Sequence, residues 1–128
     1  METKTTNGIQ ISVETKYLPG ESNPQENRFC YAYRVTIANT RSTEVQLLSR
    51  HWTIKDSSGA VREVKGDGVV GEQPVLASMK GHQYVSWCPL STEMGTMSGA
   101  YRMYDRELDE FFDAEVPQFL LIYPPKAN

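Results

Sequence analysis

Three glycines, in the run Gly66-Asp67-Gly68-Val69-Val70-Gly71, have the G-x-G-x-x-G spacing. In a dinucleotide-binding fold such glycines turn the chain at a helix N-terminus, so that backbone N–H groups reach a pyrophosphate. That chemistry needs a strand before, a helix after and an acidic residue about 20 positions further on. Here Glu72-Gln73-Pro74 follows, then Val75-Leu76 and another turn, and Ser91 stands where the acid belongs. The dinucleotide reading fails. Two readings stay open. Successive N–H groups can still form an anion-binding nest without a helix, or the glycines only supply positive φ where the chain crosses between sheets. In the nest reading Arg50 or Lys65 neutralises phosphate charge, and Asp67 or Glu72 holds Mg²⁺ through that phosphate. No other cofactor is expected.

Arg50-His51-Trp52 sets a cation beside a large aromatic. Strand alternation places Arg50 with Trp52 on one side and His51 on the other. Arg50 then either clamps a phosphate with paired N–H groups or lies along Trp52 as a stacked pair. Metal centres have weak support, because His51 and His82 lack the companion ligands of a zinc motif. Asp105, Glu107, Asp109 and Glu110 imitate a calcium loop, but Glu110 and Val116 stand where glycine and glutamate are needed. A solvated acidic loop is expected there. There is no Gly-x-Ser-x-Gly elbow, and the hydroxyls of Ser91 to Met97 have no base placed by sequence. No enzyme is expected.

These groups must be positioned by strands. Ile9, Ile11, Val13 and Tyr17 alternate with polar residues, and Phe29, Tyr31, Tyr33, Val35 and Ile37 share one face of a second strand. Val45 to Lys55 predicts a third, with Leu48, Trp52 and Ile54 facing inward. Asp56-Ser57-Ser58-Gly59 is a hairpin signal into Ala60 to Lys65. Gln83 to Trp87, Met97 to Tyr104 and Gln118 to Tyr123 complete the set. About seven short strands predict one all-β domain over 1–128, an antiparallel β-sandwich, with 1–8 as a flexible N-terminal segment.

The chain has 128 residues, with 13 Lys+Arg against 16 Asp+Glu, a net charge of −3. That balance argues against gripping nucleic acid by bulk charge. No apolar run approaches a membrane span, which rules out direct ion transport. The N-terminus lacks a signal peptide, so a cytoplasmic protein with reduced Cys30 and Cys88 is expected. Whether those two cysteines face each other stays open. Tyr17, Tyr31, Tyr33, Tyr84, Tyr101 and Tyr104 are candidate interface anchors wherever they are exposed.

The runs Glu44 to Asp56 and Gly66 to Pro74 resemble the ApaG family. Tyr84, Ser86, Cys88-Pro89-Leu90-Ser91-Thr92, Met97 to Met103 and Val116-Pro117-Gln118-Phe119 continue the resemblance in order. It spans about Ile9 to Leu121 and departs from the family pattern at Ser78-Met79, at His82 and at Trp87, where a glycine is usual. The resemblance implies an immunoglobulin/fibronectin-III-like sandwich and a stand-alone bacterial protein. It implies a protein-binding role, as assumed for related domains in a eukaryotic F-box protein and a DNA-polymerase-delta-interacting protein. It also implies an indirect link to cobalt resistance and magnesium efflux, and a pyrophosphate-containing ligand at the glycine loop. The expected function is a non-enzymatic protein-binding module. The alternative is a sensor of a phosphorylated metabolite at residues 66–71.

Overall fold

A computed structural model describes residues 1–126. Its strands are β1 (Glu2–Thr6), β2 (Ile9–Tyr17), β3 (Phe29–Asn39), β4 (Val45–Asp56), β5 (Val61–Asp67), β6 (Val75–Leu76), β7 (Gly81–Leu90), β8 (Met94–Asp105) and β9 (Glu110–Ile122). One antiparallel sheet runs β1-β2-β3-β7; the other runs β5-β4-β8-β9, with β6 pairing the start of β4. Two facing sheets make a β-sandwich. Between them lies one cluster that includes Ile9, Ile11, Val35, Ile37, Trp52 and Tyr101. Each such aliphatic side chain contributes roughly 1.5–3 kcal/mol through burial.

Where the sequence predicts a flexible segment over 1–8, β1 pairs with β2 from Glu2↔Val13 to Thr6↔Ile9. Its side chains are polar, so apolar periodicity gives no signal; it is held as the outer arm of a hairpin turned at Asn7 and Gly8, both at positive φ. The inward residues of β4 also differ from expectation. Val45 and Leu47 point into the core, as do Trp52 and Ile54, but Leu48 does not. The register against β8 shifts between Leu47 and Ser49. Leu48 is the extra residue of a β-bulge, which moves the inward set from odd to even positions. A matching shift in β9, near Pro117, moves its inward set from Phe112, Ala114 and Val116 to Phe119 and Leu121.

The acidic run is not a simple solvated loop. It forms the β8–β9 turn, and Asp105 at its start is fully buried. Its carboxylate accepts hydrogen bonds from the Thr43 hydroxyl, from Arg41 Nη2 (3.1 Å) and from the Leu108 amide (3.1 Å). Burial alone would raise its pKa; these donors outweigh that and hold the carboxyl below its ordinary value. The tyrosine anchors change too. Tyr31, Tyr33, Tyr84 and Tyr101 are core residues, and Tyr17 and Tyr104 are half-buried.

The two sides of the sandwich are unequal. On one side β9 packs across β1 and β2, with the Asn7 amide donating to the Asp113 carbonyl (3.0 Å) and Lys4 paired with Glu115. On the other, the edge strands β5 and β7 face each other across an open seam.

Candidate functional site

The glycine motif leaves β5 and forms a tight turn. Val69 and Glu72 exchange backbone hydrogen bonds (2.8 and 3.0 Å), with Val70 and Gly71 at positive φ between them. The Gly68 amide donates to the Leu48 carbonyl at the bulge (2.8 Å). The amides of Gly68 and Val69 are therefore committed to the fold, while those of Val70 and Gly71, at the exposed tip, have no partner among the described residues. A Cβ on Gly66 would lie 2.9 Å from both terminal nitrogens of Arg50, and one on Gly68 would lie 2.1 Å from the Glu72 carbonyl oxygen. Gly68 is needed for this close approach to backbone, whereas at Gly66 the end of the Arg50 side chain could move aside.

Arg50 stands opposite Gly66. Its Nη1 donates to the carbonyls of Asp67 (2.9 Å) and Gly68 (3.0 Å), so the guanidinium braces the loop from the inner face of the sheet. Of the two readings of Arg50, the stack on Trp52 does not form; the guanidinium contacts with rings are Arg41 over Phe112 (4.4 Å) and Arg102 over Phe111 (5.6 Å) among the described residues. Lys65 pairs with His51 in register, which places it on the outer face, away from Arg50. His51 Nε2 lies 3.0 Å from Glu63 there. Asp67 is exposed, and the Glu72 carboxylate lies 3.7 Å from His82. Among the described residues no three His, Cys, Asp or Glu side chains gather where they could hold a metal.

Arg50 also lines a groove of about 280 Å³ between the sheets, with Tyr33, Trp52, Arg62, Val64, Ser86 and Trp87 on its walls. The walls follow from register: Arg62 faces Ile54, Val64 faces Trp52 and Gly66 faces Arg50, so Arg62 and Val64 occupy the inner face of β5. Both side chains nevertheless stay exposed. Every β5 residue except Gly66 is exposed, on both faces. Across the seam Trp87, paired with Ala32, stands on the outer face of β7 at the rim of the groove and is 63% exposed. Arg62 bridges the gap, with Nη2 donating to the Pro89 carbonyl (2.9 Å) and lying 3.5 Å from Cys88 Sγ. A second groove of about 220 Å³ opens on its other side, by Ile54, Val61, Pro89 and Leu90.

The thiols near this seam are separate. Cys30 pairs in register with Pro89 and Cys88 with Tyr31, so the two side chains point to opposite faces of the sheet, and both are free. Burial pushes the Cys88 thiol up, against the pull of Arg62. Deeper in, the hydroxyls of Tyr84 and Tyr101 share a hydrogen bond, and burial raises the pKa of both.

Comparison with known proteins fixes the family. The model of the ApaG domain matches residues 19–105. The chain belongs to the ApaG family. Protein ApaG of Brucella canis is 48% identical over 128 residues, covering 100% of this chain and 98% of that one. The crystal structure of the putative ApaA protein from Bordetella pertussis superposes with a TM-score of 0.87 at 41% identity, covering 91% of this chain and 94% of that one. The C-terminal domain of wzt superposes at a TM-score of 0.56 and 9% identity, covering 94% and 76%, and so shares the fold.

Within this ApaG-family sandwich the groove beside Arg50 is lined by Arg62, Val64, Ser86 and Trp87, which the sequence did not mark as one surface. A signal was present. Val61-Arg62-Glu63-Val64-Lys65 has no clean period of two, which is what a strand uncovered on both faces requires.

Proposed function

We propose that this ApaG-family chain is a non-enzymatic, cytoplasmic binding module whose open seam receives an extended segment of a partner protein. One observation carries the reading: β5 and β7 are both free edges, and apolar side chains stand exposed along them, with Val61 at 59% and Trp87 at 63%. Free edges can pair with an added strand. Tryptophan and arginine are the residues most often found at the energetic centre of an interface. An effect on cobalt resistance or magnesium efflux would then pass through the partner. The test is selection of random displayed peptides on the intact protein, counter-screened on Trp87→Ser. The reading expects enriched peptides that lose binding on the variant. Enrichment indifferent to Trp87 refutes it.

A second reading, recognition of a phosphorylated or pyrophosphate-containing metabolite, is supported by the unpartnered tip amides of Val70 and Gly71. Mg²⁺ would enter only with the phosphate, through Asp67 or Glu72. Titration with pyrophosphate, with and without Mg²⁺, tests it; saturable shifts of the Val70 and Gly71 amide resonances are its expected result.

A further inference from the structure

Arg50 and Arg62 line the groove of the seam together, and Arg28 lies beyond its end, next to Arg62. Arg28 borders a separate recess with Cys30, Trp87 and Pro89, and shares a neighbouring one with Arg62. Their hydrogen-bond partners are neutral. Arg28 Nε donates to the Glu21 carbonyl (3.2 Å), Arg50 to the carbonyls of Asp67 and Gly68, and Arg62 to the Pro89 carbonyl and the Cys88 sulfur. Among the described residues the arginines in ion pairs are Arg41 and Arg102, neither of them in the seam. Glu21 and Glu26 stand at the Arg28 end without pairing to any of the three guanidiniums. In a chain of net charge −3, Arg50 and Arg62 thus share one groove with no carboxylate in ion-pair contact, although Asp56 lies near enough to Arg62 to feel its charge.

We infer that the seam is selective for an acidic extended segment, with carboxylates on one face spaced to meet Arg50 and Arg62. The inference rests on the seam being the docking site. The spacing follows from register. Arg50 lies opposite Gly66, and Arg62 is four residues before Gly66 on the same strand and the same face. Four residues of strand span about 13 Å. An extended ligand running along β5 matches that distance with acids four positions apart, which also share a face. The residue midway between the acids, on that face, meets Val64 and Trp52 and should be apolar. The recognised pattern is acid-x-apolar-x-acid, each carboxylate taking charge-assisted hydrogen bonds from a guanidinium.

The experiment uses the full chain and three labelled heptapeptides with blocked termini, followed by fluorescence anisotropy at low and high salt. The first carries glutamates at its second and sixth positions, leucine at the fourth and threonine elsewhere. The second has glutamine for glutamate. The third moves the glutamates to its second and third positions. The first should bind about tenfold tighter than the other two, and the gap should close as salt is raised. In Arg62→Gln, which keeps a donor for the Pro89 carbonyl, the first peptide should lose most of that advantage. Equal binding of all three overturns acid selectivity while leaving the seam as a docking site. Tight binding of the first and third alike overturns the spacing. No binding by any of the three also overturns the inference, and the Trp87 counter-screen then decides separately whether the seam docks a segment at all.

Discussion

In a Gly68→Ala variant the new methyl carbon would stand 2.1 Å from the Glu72 carbonyl oxygen and 2.8 Å from its carbon, at a φ of +61°. Backbone, not a flexible side chain, must give way. The left-handed conformation costs alanine about 1–2 kcal/mol. Opening the turn to relieve the clash breaks the paired hydrogen bonds between Val69 and Glu72, at roughly 1 kcal/mol each. The total is about 3–4 kcal/mol, or about 10–15 °C in Tm for a chain of this length. Gly71→Ala is the control. Its φ is +78° with nothing within 4 Å of the added carbon. It should lose only the conformational part, about 3–7 °C. Thermal unfolding followed by circular dichroism reads both variants. If the two lose equal stability, or Gly68→Ala stays within about 3 °C of wild type, the close-approach account of this glycine is wrong. The result also fixes how ligand data should be read, because a Gly68 variant that fails to bind phosphate may simply have lost its loop, whereas Gly71→Ala keeps it.

Other consequences are open to direct measurement. Trp87→Ser should leave Tm within about 3 °C of wild type, since a mostly exposed side chain supports little of the fold; a larger loss would place Trp87 in the scaffold. Burial raises the pKa of Tyr31 to about 12 and raises those of Tyr33, Tyr84 and Tyr101 as well. The folded state then keeps protons that the unfolded chain releases near pH 10, so this stabilisation is complete below about pH 10 and is lost as pH rises toward 12. Denaturant unfolding across that window should show stability falling, and a flat profile would contradict the burial. Mild oxidation should not join Cys30 to Cys88 within one chain, because their side chains leave opposite faces of the sheet; a mass 2 Da lower on the intact protein (about two hydrogens, as disulfide formation requires) would contradict the register.

Alternation made most of the sandwich legible. Ile9, Ile11 and Val13, and the five inward residues of β3, read directly because each strand keeps one period from end to end. Legibility failed where the period breaks. The bulge at Leu48 changes parity inside β4, and no local composition marks it. Asp105 read as solvated because its partners, Arg41 and Thr43, are more than 60 positions away in the chain. Arg50 was visible beside Trp52, but its carbonyl partners depend on the β4–β5 register. The seam was hidden for a related reason: it is made by two strands that end their sheets, and which strands are edges is a property of topology. Trp87, where the family pattern has glycine, was visible only as a departure.

The most direct test of the seam is amide mapping of the ¹⁵N-labelled protein with the double-glutamate heptapeptide and, separately, with pyrophosphate. The account predicts peptide-induced shifts along β5 and β7, including Arg62, Val64 and Trp87, saturating at submillimolar to millimolar peptide. Shifts confined to residues 66–71 with pyrophosphate, and none along β5 and β7 with peptide, would contradict it.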